Sequence, residues 1–145
     1  MKKLVLVLSL FIISTSVSAQ NEINLKGLET LAKQGNLAAL IELASAYRKG
    51  IGVTQNYKIA VKWYTLSAEQ GNALAQYNLG HLYYLGKGVS ENMVYAHMWA
   101  KKSSSNGFEM GTELTDLLTE LMTTNQIKEA RRLRNDCVRK KYKGC

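Results

Sequence analysis

A thirty-six-residue period constrains this chain more than any other feature. Residues 35–70 align without a gap on residues 71–106, with the same residue at 12 of 36 positions. The matched pairs are Gly35 with Gly71, Asn36 with Asn72, Ala39 with Ala75, Leu43 with Leu79, Tyr47 with Tyr83, Gly50 with Gly86, Gly52 with Gly88, Val53 with Val89, Asn56 with Asn92, Ala60 with Ala96, Trp63 with Trp99 and Ser67 with Ser103. A period of this length marks a stack of small supersecondary units, none of which can bury its apolar side alone.

Spacing inside the unit names its elements. Ala39, Leu43 and Tyr47 recur every four residues, and Ala60, Trp63 and Ser67 follow a similar step, so each unit holds two helices with one apolar stripe apiece. Gly71 can take the left-handed conformation that ends a helix, and Asn72 can cap the next helix through its side-chain oxygen. Asn56 and Asn92 offer the same cap to the second helix of each unit. The connecting turns, Gly50-Ile51-Gly52-Val53 and Gly86-Lys87-Gly88-Val89, lack the third glycine and preceding strand of a dinucleotide loop and the lysine and hydroxyl spacing of a phosphate loop. No nucleotide cofactor is expected. Small alanines let paired helices approach, while Trp63 and Trp99 carry apolar surface that needs a stacked neighbour.

Two units require flanking helices. Ala32-Lys33-Gln34-Gly35 echoes Ala68-Glu69-Gln70-Gly71, which makes residues 24–34 the second helix of a truncated leading unit. Met110, Leu114, Leu117, Leu118, Leu121 and Met122 follow helical spacing, as approximately do Ile127, Ala130, Leu133, Cys137 and Val138, and Thr123 with Gln126 forms a capping-box pattern between them. The expected fold is all-α: a short α-solenoid of antiparallel helical hairpins, about seven helices, with a basic carboxyl-terminal capping helix. Residues 20–145 form one domain: a leading half-repeat (24–34), repeat one (35–70), repeat two (71–106) and closing helices (107–145).

Residues 1–19 read as a secretory signal peptide: a basic start at Lys2 and Lys3, an apolar run from Leu4 to Ile13, and small residues through Ala19 before Gln20. Ten helical residues span about 15 Å, roughly half of a hydrocarbon core, which argues against a membrane anchor. The mature chain is therefore expected outside the cytoplasm, in the periplasm or secreted.

The formal net charge is +8, and its distribution matters more than its total. Residues 20–125 carry equal numbers of acidic and basic groups, so all net charge of the mature chain lies in residues 126–145. That segment holds Arg131, Arg132, Arg134, Arg139, Lys140 and Lys141, beside Lys128 and Lys143. Export and the lack of aromatic residues among these cations before Tyr142 exclude nucleic acid as the expected target. A solvated face of a capping helix is the plain reading, and a weak contact with an anionic lipid or polysaccharide the alternative.

Cys137 and Cys145 are the only thiols, and oxidising surroundings favour a disulfide between them. A continuous helix would hold their α-carbons about 12 Å apart, beyond the roughly 7 Å that a disulfide bridges. The helix must therefore end before Cys145, and Gly144 eases the reversal. The spacing excludes a Cys-x-x-Cys redox pair and gives a metal no further thiolate. His81 and His97 do not form a His-Glu-x-x-His pattern, Ser103 to Ser105 lack a nucleophile-elbow context, and Glu113, Asp116 and Glu120 share a turn-spaced face typical of solvated surface. No metal, cofactor or catalytic set is expected.

At these residues the sequence resembles the Sel-1-like repeat family, relatives of tetratricopeptide repeats. Its unit reads as a small residue, Leu-Gly, Tyr, Gly-x-Gly-Val, Ala, Trp-Tyr and Ala-x-x-Gly. Leu79-Gly80, Tyr83, Gly86 to Val89, Ala96 and Trp99 carry the likeness in the second unit; Gly50 to Val53, Ala60, Trp63-Tyr64 and Ala68 to Gly71 carry it in the first. Met122-Thr123-Thr124-Asn125-Gln126-Ile127 is similar to the stretch before the basic helix of small exported members, with Thr124 in place of a proline. Ala44 stands where the family has glycine, and Ala100 where it has tyrosine. Some members clip each hairpin with a disulfide; neither repeat here has a cysteine, so the β-lactam activities attributed to that branch transfer poorly.

The resemblance implies a binding scaffold whose members serve as adaptors, in host interaction or in neutralising toxic effectors. It places Leu74, Tyr77, His81 and Tyr84 on the inner surface in the second unit, and Ala38, Ile41, Ser45 and Arg48 in the first. Their common offsets put each set along one helical face. The expected function is a monomeric, non-enzymatic module of the bacterial envelope or secretome binding a protein or peptide there, with an immunity role as a specific form. An envelope hydrolase acting on cell-wall or β-lactam substrates is the rival.

Overall fold

The computed structural model describes residues 25–145, so the expected leader lies outside the described residues. Among the described residues seven helices follow one another: α1 (25–33), α2 (Leu37–Lys49), α3 (Tyr57–Glu69), α4 (Ala73–Leu85), α5 (Met93–Ser105), α6 (Glu109–Leu121) and α7 (Thr124–Arg139). No strand occurs among the described residues. The expected start at residue 24 lies outside the described residues, and the first helix ends at residue 33, one residue before the expected 34.

The asparagines start the helices as their spacing requires. Asn36, Asn56, Asn72 and Asn92 each accept a hydrogen bond from the backbone N–H three residues on, at 2.9–3.1 Å. Each satisfies a donor that the first helical turn leaves orphaned, worth about 1 kcal/mol per cap. Thr123 and Gln126 complete a reciprocal capping box at the start of α7. Gly50 and Gly86 end α2 and α4 in the left-handed region, at φ 71° and 61°.

Helices α2 and α3 form one hairpin and α4 and α5 the next, and α3 packs on α4 to stack them. Gly80 sits where α4 meets α5: a Cβ there would lie 3.0 Å from the Ala96 carbonyl oxygen and 3.1 Å from the Ala100 nitrogen. In the first hairpin Ala44 holds the equivalent place and is fully buried. The two tryptophans differ. Trp99 is wholly buried, whereas Trp63 is half-buried against the cluster of Ala32, Ala39, Leu40 and Leu43, where less of the described stack covers it.

Helix α6 stands where a third unit would place its first helix. Gly111, thirty-six residues after Ala75, lets α6 close on α5, since a Cβ there would meet the Ser103 hydroxyl at 2.6 Å. Of the apolar residues spaced along α6, Leu114, Leu118 and Met122 are buried, but Met110, Leu117 and Leu121 stay exposed. Helix α7 packs against α5. It meets α6 mainly through Ile127 and Ala130, which join the cluster of Leu114, Leu118 and Met122. The closing pair therefore straddles α5 with a cleft between its members.

The chain ends in a clasp. Cys137 and Cys145 are joined with α-carbons 5.8 Å apart, and α7 stops at Arg139, which resolves the distance conflict of an unbroken helix. Lys141 and Tyr142 both adopt left-handed φ, 51° and 60°, an arrangement that non-glycine residues keep only when surroundings hold it. Here the Tyr142 N–H donates to the Cys137 carbonyl at 2.7 Å, and the Tyr142 ring lies 6.0 Å from that of Trp99, under the Lys102 ammonium. The Gly144 N–H reaches the Glu69 carboxylate on α3 at 2.8 Å.

Candidate functional site

The first helices of successive units, α2, α4 and α6, present equivalent positions to one face. On α2, Ala38, Ile41 and Ser45 line an open cleft of about 650 Å³ with Leu25 and Leu28 of α1 and Ile51 of the following turn. Among the described residues Glu42 is the one charged residue on its wall. These side chains are small or aliphatic, so the cleft accepts apolar groups, with Ser45 and Glu42 left to hydrogen-bond a polar one. Arg48 does not line it: its guanidinium Nε donates to the hydroxyl of buried Tyr64 at 3.3 Å.

On α4 the same offsets carry rings. Tyr77 stacks on His81 with centroids 5.9 Å apart and planes 9° from parallel, His81 lies 6.4 Å from Tyr84, and Phe108 before α6 leans on Tyr77 at 5.4 Å. A continuous aromatic row results. Tyr77 and Tyr84 also pack on the cluster shared by α5, α6 and α7, so each ring is half-buried. Burial holds His81 below the ordinary histidine range, and the charges of Arg48 and Lys87 add to the effect. The row offers flat apolar surface with polar tips. Leu74 stands exposed beside it.

The face extends further than sequence reasoning placed it. Thirty-six residues beyond Leu74 and His81 stand Met110 and Leu117 of α6, exposed by 45% and 44%. Adding the repeat period once more to the face positions of the second unit finds both, although α6 lacks the repeat's other landmarks.

The basic residues divide between two surfaces. Arg132 bridges Glu129 at 2.6 Å and Asp136 at 3.0 Å, and Arg139 pairs with Asp136. Lys140 and Lys141 lie in the exposed reversal after α7. Arg131 and Arg134 instead line the cleft between α6 and α7. The other histidine, His97, also lies there, 3.1 Å from the Thr119 hydroxyl oxygen. Among the described residues no carboxylate hydrogen-bonds either histidine, no group of three or more His, Cys, Asp or Glu is placed to hold a metal ion, and no helix is long and apolar enough to cross a membrane.

Helical hairpins stacked with their first helices facing one surface define a helical-repeat scaffold. The comparisons with known proteins are specific about which. The Sel1 repeat model matches residues 37–72 and 73–108, two residues later in register than the units read from the sequence. The chain belongs to the Sel1 repeat family, whose repeats generally mediate protein–protein interactions. Among solved structures it is similar to a protective antigen present in uropathogenic Escherichia coli strains, which displays an SLR fold. That match has 32% identity and a TM-score of 0.76 over 81% of this chain. It is also similar to a Sel1 repeat protein from Oxalobacter formigenes, at 36% identity and a TM-score of 0.63 over 74% of this chain. The matches span 25% and 44% of those longer chains. No curated protein matches the chain in sequence.

Proposed function

We propose that this chain is a non-enzymatic binding module of the bacterial envelope or secretome that holds a peptide or protein surface on the face of α2, α4 and α6. The observation that carries the proposal is the aliphatic cleft around Ile41 lying on the same repeat face as the Phe108–Tyr77–His81–Tyr84 row. Half-buried rings with polar edges are effective anchors because they bury area while losing little side-chain freedom. The leader-like residues 1–19 support export, as does the protective-antigen description of the Escherichia coli relative. A compact face suits an immunity or neutralising partner of a toxic effector, which is the specific form of the proposal.

Affinity capture from envelope and culture-supernatant extracts tests it, with residues 20–145 as bait at low and physiological salt. One stoichiometric protein that survives salt, and is lost from Ile41→Lys and Tyr77→Ala baits that remain folded, is the expected result. A toxic enzyme in that band would establish the immunity form. A capture that is empty, or unchanged by both substitutions, would overturn the assignment of the face. The amino-terminal residue of the protein recovered from cells tests export: Gln20 is expected, and a chain starting at Met1 would sink it.

A further inference from the structure

The cleft between α6 and α7 has no part in that face. It encloses about 400 Å³, with α5 as its floor and Met98, Ile127 and Ala130 as its apolar surface. Three cations point to it from two helices: Lys101 on α5, and Arg131 and Arg134 on α7. Asp116 on α6 is the only carboxylate on its wall among the described residues. Among the described residues none of the three cations makes an ion pair, although the same helix neutralises Arg132 and Arg139 on its other flank with Glu129 and Asp136. The acidic residues of α7 are thus committed away from the cleft.

His97 adds a donor whose orientation is fixed. The Thr119 hydroxyl donates to the Thr115 carbonyl at 2.7 Å, so its oxygen is left to accept from His97 Nε2–H at 3.1 Å. Nδ1 is then the ring atom not engaged by Thr119. We propose that this cleft is a binding site for a phosphate monoester, with Arg131, Arg134 and Lys101 gripping the phosphate and His97 Nδ1 donating to it once protonated. Three cations against one carboxylate leave an excess of two positive charges, which matches a phosphate dianion better than a single carboxylate. The volume leaves room for the esterified group against Met98, Ile127 and Ala130.

Without ligand, His97 sits below the ordinary histidine range through burial and the charges of Lys101, Arg134 and Arg131. Asp116 is the acidic group lining the same cleft and works in the opposite direction. A bound dianion offsets the excess positive charge that holds His97 down, so ligand binding favours its protonation.

The test is a titration of the mature chain with glycerol 3-phosphate, followed by NMR of the histidine and arginine side chains at constant ionic strength. Saturable shifts at His97, Arg131 and Arg134, with an upward move of the His97 titration midpoint, are expected. Arg131→Gln and Arg134→Gln should each weaken binding about tenfold, as loss of a charged hydrogen bond implies. Arg132→Gln should leave it unchanged, and Asp116→Asn should tighten it. Vesicles of phosphatidic acid in phosphatidylcholine form the second arm. Binding there alone, still sensitive to Arg131→Gln, supports the site and assigns the ester to a lipid head group. Failure of both probes, equal binding of citrate, or equal weakening by Arg132→Gln would overturn the proposal. Because Arg131 and Arg132 are both exposed on α7, circular dichroism of the variants separates lost binding from lost fold.

Discussion

The two repeats share one third of their residues, yet identical residues do different things in them. Gly52 and Gly88 both lie at positive φ, 72° and 77°. A Cβ on Gly52 would meet open space, whereas one on Gly88 would lie 2.5 Å from the Tyr57 carbonyl carbon and oxygen. Ser103 donates to the Ala73 carbonyl at 2.6 Å, but its counterpart Ser67 is buried with no partner for its hydroxyl among the described residues. Trp99 is covered by the clasp and Trp63 is half open. The second unit lies between the first hairpin and the closing helices, whereas among the described residues α1 alone precedes the first unit. A repeat sequence therefore specifies a set of capacities, and the neighbours decide which of them contribute to stability.

The substitution with the largest expected effect is Gly88→Ala. It adds a clash with backbone atoms to the strain of a left-handed alanine and should cost about 3 kcal/mol or more, against about 1–2 kcal/mol for Gly52→Ala. Equal losses in denaturant melts would mean that the second turn does not press on α3. Next comes Cys145→Ser, expected to cost about 2–3 kcal/mol by releasing the tail. Its tryptophan emission should move to the red as Trp99 loses Tyr142, making the two tryptophans alike; unchanged emission would show that the clasp holds without the disulfide.

Ser103→Ala should cost about 1 kcal/mol and Ser67→Ala about nothing, since only the first breaks a hydrogen bond. If Ser67→Ala proves as damaging, its hydroxyl has a partner through water. The smallest effect is electrostatic. His81 replaces the non-titrating Ser45 of the first unit and, like His97, is held below the ordinary value of 6.5. The unfolded chain then binds protons first, so stability is full at alkaline pH and falls as pH drops through 6.5 towards the lower folded values. His81→Asn should flatten part of that decline in melting temperature, and a profile unaffected by it would place His81 in open solvent.

The helices and their caps were legible because they depend on neighbours in sequence. Asn36, Asn56, Asn72 and Asn92 cap through a contact three residues away, and the Thr123–Gln126 box spans the same distance. The inner-face positions on α2 and α4 follow from the period and the family likeness, and the structure adds how they differ: aliphatic residues around a cleft on one, stacked rings on the other. What was not legible depends on relations between units. The exposure of Trp63, Met110 and Leu117 reflects which neighbours exist, not what their own segments contain. Nor does spacing along α7 announce that it rests on α5 and leaves Arg131 and Arg134 facing His97 across a cleft.

The bond from Gly144 to Glu69 links residues 75 apart in sequence. It acts with Leu133, Tyr142 and Cys145, which pack on the cluster that contains Ala60 and Tyr64 of α3. In an ordinary array each unit senses only the one before and the one after, so unfolding can creep along from either end. Here the far end leans on the first hairpin, and the linear array becomes a closed circuit. Its units should be lost together in one cooperative step, with α1, outside the circuit, free to fray by itself.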